Sequence, residues 1–275
     1  MKRVSVFALV IILAGVSFWA GYKYAPGNGM NNNVNTVLEG APANSRVIPM
    51  SIVSVEETAS TSPTVTIEYP QFPGLPSELN ETIAQAVTGQ LAEFMAETKQ
   101  NAAARATTET NIGSYTDTGV SLNTDQNASA VLPMSSYSFI ASWQPAQINS
   151  KYISFIERFD EYTGGANENS TLQTFNYDIG NRRFITLDDL FGSVPDYLAK
   201  IASTSRKQLI AVLSTNSNGN APTDMITAGT APSPENFADF TFTDYLLTVY
   251  FPKYAVAPGS FGEQHVTIPI DDIRE

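Results

Sequence analysis

The sequence predicts an α+β fold: a curved antiparallel β-sheet packed against two main helices, preceded by an N-terminal transmembrane helix. Three observations carry that expectation. Residues 4–22 run without a charge behind Lys2 and Arg3. Aromatic and β-branched runs recur at Tyr137 to Trp143, Tyr152 to Tyr162, Thr171 to Asp178 and Phe240 to Phe251, the composition that suits pleated, half-buried strands. Two other segments, opening at Ser77 and Pro195, repeat apolar residues at helical spacing instead.

The first element is the uncharged N-terminal run. At about 1.5 Å per residue, a helix over it approaches the hydrocarbon thickness of a bilayer. A cleaved signal peptide is the competing reading, but Phe18 ahead of Ala20 and Pro26 after Ala25 make a poor small-residue cleavage site. With positive charge before the span and Lys23 alone just after it, Met1 is expected in the cytoplasm and the remainder outside the cell membrane. Residues 1–24 are thus read as anchor, 25–46 as linker and 47–275 as an extracytoplasmic domain. The linker, with Gly-Asn-Gly-Met-Asn-Asn-Asn, has neither helical nor strand periodicity. The chain contains no cysteine, so neither a lipid-modified cysteine nor a disulfide is available.

Within the domain, Val47 to Val55 reads as a strand, followed by Thr64 to Tyr69, where Val65, Ile67 and Tyr69 alternate with Thr64, Thr66 and Glu68. Pro73 and Pro76 stop that run. Ser77 is placed to cap a helix with Leu79, Ile83, Val87, Leu91 and Met95 on one face. Residues 102–130, rich in Thr, Asn and Ala, predict an irregular excursion. Three consecutive strands then turn at Gly180-Asn181 into Arg183 to Thr186. Thr186 reads as a helix cap, which accounts for Asp188 and Asp189 as first-turn acids and removes the need for a catalytic carboxylate pair. The second helix is expected from Pro195 to Thr215 with Leu198, Ile201, Leu209 and Val212 inward. A loop over 214–234, a strand pair around Thr243-Asp244 and a closing strand from His265 to Ile270 complete the domain.

Charge narrows the partners. The net charge is −12, and it becomes more negative once Lys2, Arg3 and Lys23 are set aside with the anchor. Such a domain repels nucleic acid and speeds encounter with cationic proteins, although charge of this kind also simply keeps a surface domain soluble. With one histidine and no cysteine, a thiol nucleophile and a histidine-rich metal site are excluded, and only His265 could serve a triad. His265 opens a strand, which suits an ordinary half-exposed residue. Asp160, Glu161 and Glu168 could supply carboxylates for glycoside hydrolysis, yet no spacing selects a pair. No calcium-loop spacing is present. The expectation is a protein that is not an enzyme, without cofactor or metal.

The motif that carries most information is Tyr162-Thr163-Gly164-Gly165-Ala166-Asn167, followed by Phe184-Ile185-Thr186-Leu187-Asp188-Asp189-Leu190-Phe191, by Tyr250-Phe251 with Tyr254 and Ala257-Pro258-Gly259, and by Val266 to Ile270. With Tyr69-Pro70-Gln71-Phe72 upstream, these resemble the extracytoplasmic domain shared by RsiV-type lysozyme-sensing anti-sigma factors and the non-catalytic N-terminal part of PdaC-type peptidoglycan deacetylases. The resemblance spans Ser51 to Ile273. It departs from the family at Asn167, where a histidine is usual; a turn role survives that change. The deacetylase relatives carry a separate catalytic domain and the anti-sigma relatives a cytoplasmic segment, neither of which this sequence is expected to supply. The resemblance implies an envelope binding module for a cationic muralytic protein such as lysozyme, or for peptidoglycan fragments. Its candidate contact residues are Tyr162, Gly164, Gly165, Asn167, Tyr250 and Tyr254. For the glycines a structural turn, and for the aromatics core packing, stand beside that reading. A carboxylate-dependent cell-wall hydrolase and a structural partner of another envelope protein are the alternatives.

Overall fold

The computed structural model describes residues 48–58, 62–113, 136–164, 168–216 and 219–275, with 105–113 as helical backbone alone. The expected anchor and linker lie outside the described residues. Among the described residues no helix is long and apolar enough to cross a membrane.

The elements in order are β1 (Ser51–Glu57), β2 (Thr64–Gln71), α1 (Ser77–Gly113), β3 (Ser138–Ile148), β4 (Tyr152–Tyr162), β5 (Asn169–Asp178), β6 (Arg183–Phe184), α2 (Leu187–Phe191), α3 (Tyr197–Asn216), α4 (Thr223–Gly229), β7 (Phe240–Phe242), β8 (Leu246–Phe251), β9 (Gln264–Pro269) and α5 (Ile270–Arg274). The α+β class holds, but the single antiparallel sheet does not. Strands β1 to β6 form one sheet in sequence order, and β7 to β9 form a second, antiparallel one. The large sheet is mixed, because β2 and β3 run parallel while its other pairs are antiparallel. A parallel neighbour needs a long crossover, and the segment containing α1 supplies it.

The small sheet stays separate because the outer edge of β7 is closed by side chains. The Asn176 amide donates to the Phe240 carbonyl at 2.7 Å. The Phe242 N–H donates to Ser154 Oγ at 2.9 Å, and that hydroxyl donates onward to Asn176 Oδ1 at 2.7 Å. Backbone groups that a seventh ladder strand would have used are thus satisfied by two buried residues of β4 and β5.

Helix α1 covers one face of the large sheet through Leu79, Ile83, Val87 and Leu91, all buried as the spacing predicts. Met95 is exposed, and Phe94 and Thr98 take its place in the core. The reason is the 3.6-residue turn, which makes a strict fourth-residue stripe drift around the helix until a third-residue step restores it. Ser77 is the first helical residue, and the helix start is tied down by Asn80 instead. Its carbonyl oxygen accepts from Phe72 N at 2.7 Å, and its amide donates to Phe72 O at 3.2 Å. The helix continues to Gly113, into the stretch expected to be irregular. Of that excursion, residues from 114 onward lie outside the described ones.

The predicted cap at Thr186 is present. Its hydroxyl accepts from Asp189 N, and the Asp189 carboxylate accepts from Thr186 N at 2.8 Å, a reciprocal capping box. Asp196, at φ 54, delays the second main helix to Tyr197, so Pro195 precedes the helix rather than opening it. On α3 it is Leu213 that is buried, while Val212 is exposed. Ile201, Leu209 and Leu213 pack with the inner face of the small sheet (Leu247, Val249, Ile268) in a third cluster, separate from the two under α1.

Candidate functional site

Alternation along β4 assigns its side chains to two faces. Ile153, Phe155 and Phe159 join the core under α1. Ser154 and Ile156 are buried on the opposite face, which opens beyond them at Arg158 and Asp160. Cross-strand neighbours there are Ser142 and the exposed Ile140 on β3, and Leu172 and Ser170 on β5. Ser170 donates to the Asp160 carboxylate.

The small sheet rises beside this open face as a wall. Its outward residues include the cross-strand pair Tyr250 and His265, whose ring centroids lie 6.1 Å apart, and Thr241, whose hydroxyl pairs with the Tyr250 phenol at 3.3 Å. Wall and floor meet at a two-pronged ion pair: Arg158 Nη1 donates to Glu263 Oε2 at 3.1 Å and Nη2 to Oε1 at 3.0 Å. The fork geometry gives this pair orientation as well as energy. It holds the guanidinium more firmly charged. The Glu263 hydrogen bonds are the main cause, burial opposes them, and Glu263, Asp160 and Tyr250 add electrostatic support.

Behind Tyr250 lies a cavity of about 230 Å³ whose lining includes Gly229, Glu235, Asp239, Phe251 and Ala255. Gly229 is required there, because a Cβ would stand 2.2 Å from the Ala255 carbonyl oxygen. The Asp239 carbonyl accepts from Tyr250 N at 2.8 Å, which fixes the residue at the cavity wall. Burial, and then the charge of Glu263, raise the Asp239 carboxyl above its ordinary range.

Of the residues singled out in the sequence, Tyr250 stands in this corner. Tyr162 ends β4 on the same face, four residues beyond Arg158 and so roughly 13 Å along the strand. Gly164 turns at φ 85, as a tight turn requires. Thr163 between them is tied to α1 by Glu97 and Asn101. Gly165 and Asn167 lie outside the described residues. Tyr254 sits on the loop after β8 at φ 73, exposed, with its ring against Gly259, where a Cβ would lie 2.3 Å from it. The structure therefore groups Tyr250 with Arg158, Glu263, Asp239 and His265, and leaves Tyr162, Gly164 and Tyr254 elsewhere.

Glu157, next to Arg158, faces the core. It is fully buried, neither carboxyl oxygen has a hydrogen-bond partner, and burial pushes its pKa up to about 8. Tyr69 is raised by its own burial and then by Glu157. Among the described residues no group of three or more His, Cys, Asp or Glu is placed to hold a metal ion.

Comparison with known proteins divides the chain in two. Residues 55–170 match the family model described as "Deacetylase PdaC", and residues 188–271 match that of a protein family of unknown function, DUF3298. A stretch of 110 residues is 36% identical to the peptidoglycan-N-acetylmuramic acid deacetylase PdaC of Bacillus subtilis, covering 39% of this chain and 22% of that protein. The chain thus spans about a fifth of the curated relative's length. Two solved structures share the fold: a DUF3298 family member from Bacteroides fragilis, with TM-score 0.51 and 18% identity over 82% of this chain and 91% of the other, and one from Pseudomonas aeruginosa, with TM-score 0.50 and 14% identity over 82% and 92%. The resemblance to PdaC-type proteins read from the sequence is borne out, and the seam between the matched segments runs through the corner, with Arg158 on one side and Glu263 on the other. The stretch similar to PdaC builds α1 and most of the large sheet, and the stretch similar to DUF3298 builds α3 and the small sheet.

Proposed function

We propose that this chain is a membrane-anchored, extracytoplasmic binding module of the bacterial cell envelope that holds peptidoglycan glycan in the corner between its two sheets. The observation that carries the reading is the open angle itself. A floor of Arg158, Asp160 and Ser170 meets a wall of Tyr250 and His265, offering hydroxyl partners along one surface and ring faces along the other. Sugars are recognised by that combination of polar donors and flat aromatic surface. The likeness of residues 55–170 to a protein named for action on peptidoglycan supports the substrate class. Glu263 is committed to Arg158 through both of its oxygens, which suits it to orienting the guanidinium in the corner.

Titration calorimetry of the full chain against muropeptides tests this. Binding should weaken at least about tenfold in Tyr250→Ala, and undiminished binding in that variant would remove the corner as the site.

A second reading, recognition of a cationic muralytic protein such as lysozyme, is favoured by the acids at the β4–β5 turn. Burial, then Glu97 and Glu93, raise the Glu161 carboxyl there, beside Tyr162 and Thr163. The same titration with hen-type lysozyme at low and physiological salt separates the two. Salt-sensitive binding lost in Glu97→Gln but kept in Tyr250→Ala would favour the protein partner.

A further inference from the structure

Resting on the glycan reading, we propose that the cavity behind Tyr250 is a subsite for a primary ammonium group, the free amine of a de-N-acetylated amino sugar, with Asp239 as its counter-ion. Asp239 is half-buried on the cavity wall, and its carboxylate has neither an ion pair nor a hydrogen-bond donor among the described residues. Its neighbour Glu263 offers no relief, because that carboxylate is of like charge and already forked to Arg158. Cations around the cavity are engaged elsewhere. Arg206 donates to the Thr230 hydroxyl and carbonyl at 3.1 and 3.3 Å, and Lys253 lies 5.6 Å over the Tyr254 ring. No Lys or Arg is among the lining residues, whereas a second acid, Glu235, is.

A half-buried carboxylate beside another carboxylate is costly unless a cation joins it. Tyr250, Phe251, Pro252 and Ala255 add apolar surface beside the carboxylate, and an ion contact against such surface is stronger than it would be in bulk solvent. Tyr250 belongs to both corner and cavity, so a sugar resting on the corner can direct a ring substituent inward. An acetamido group there is neutral and leaves Asp239 uncompensated; an ammonium compensates it. Reactions that supply this ligand are amide hydrolyses of N-acetyl sugars, in which water adds to the acetamide carbonyl, acetate departs and the freed amine takes up a proton. The relative's name describes chemistry of that class.

The test is calorimetry of the full chain with two tetrasaccharides of equal length, one of glucosamine and one of N-acetylglucosamine, at pH 6. Wild type should bind the amine form at least about tenfold more tightly, and Asp239→Asn should lose that preference. Glu93→Gln, which neutralises an acid on α1, should retain the preference, separating the subsite from general attraction to an acidic protein. A thermal melt of Asp239→Asn establishes that it folds, and Glu235→Gln, expected to reduce the preference partially, provides a second probe of the same cavity. Equal affinity for the two sugars, or a preference that survives in Asp239→Asn, overturns the subsite. If the acetylated form still binds in a Tyr250-dependent way, the glycan reading stands without the subsite; if neither sugar binds, both fall. A lysine-rich peptide bound through Asp239, with no amino sugar bound, overturns the sugar assignment.

Discussion

Replacing Glu157 by glutamine removes an ionisation while keeping the shape of a side chain that the core encloses completely. Burial raises the carboxyl from its ordinary 4.5 to about 8, with no hydrogen bond to offset it. The folded-state pKa of this acid lies above the unfolded one, so the native protein binds a proton that the unfolded chain has released between those two values. Stability therefore falls as pH rises through that window. At ~1.4 kcal/mol per unit, the loss is about 3 kcal/mol at pH 7 and approaches about 5 kcal/mol above pH 8. Chemical unfolding of wild type and Glu157→Gln at intervals from pH 4 to pH 9 measures it. The two should nearly coincide at pH 4, and the variant should gain steadily until about pH 8. A difference that stays flat across that range would refute the reasoning, because it would mean that the carboxyl is ionised and compensated in the native state. The Tyr69 phenol provides an independent check: without the Glu157 charge its titration should move down towards its ordinary value, stopping short because its own burial remains.

Three further outcomes follow from the geometry. Ser154→Ala and Asn176→Ala should each destabilise by about 1–3 kcal/mol in chemical unfolding, since each strands buried groups at the β7 edge. The double variant should lose markedly less than the sum of the two. Gly259→Ala should lower the melting temperature because its Cβ would meet the Tyr254 ring, and adding Tyr254→Ala should recover most of that loss. Thr186→Ala should cost about 1 kcal/mol of unfolding free energy through the lost capping box. The Asp189 carboxyl is held low chiefly by the Thr186 backbone and then by Arg183, so its stabilisation is present above its ordinary pKa and fades as pH falls.

Local patterns made much of the fold readable. Val65 and Ile67 announced β2, Leu79 to Leu91 announced α1, and Thr186 with Asp189 announced a helix start, because each signal lies within one turn or one pleat. Pairing direction was not readable: the alternation in β2 is the same whether its neighbour runs parallel or antiparallel. The separation of the small sheet depends on Ser154 and Asn176, and nothing near either residue states that β7 will meet them. At the site, Tyr250 was visible as a strand aromatic, but Arg158 and Glu263 come together across more than a hundred residues and carry no local mark. Glu157 did leave a trace. Ile153, Phe155 and Phe159 define an apolar alternation with Glu157 in register, which is enough to place an acid in the core.

The parallel junction of β2 with β3 also bears on how the chain assembles. Strands β3, β4 and β5 follow one another closely in sequence and can pair at little entropic cost, whereas partners such as Thr64 and Ser138 meet only after the whole intervening crossover has been gathered. The meander from β3 to β5 is thus positioned to form the folding nucleus, with β1 and β2 docking late. Truncation of Val65 should accordingly speed unfolding and leave the refolding rate almost untouched, while truncation of Phe155 should slow refolding.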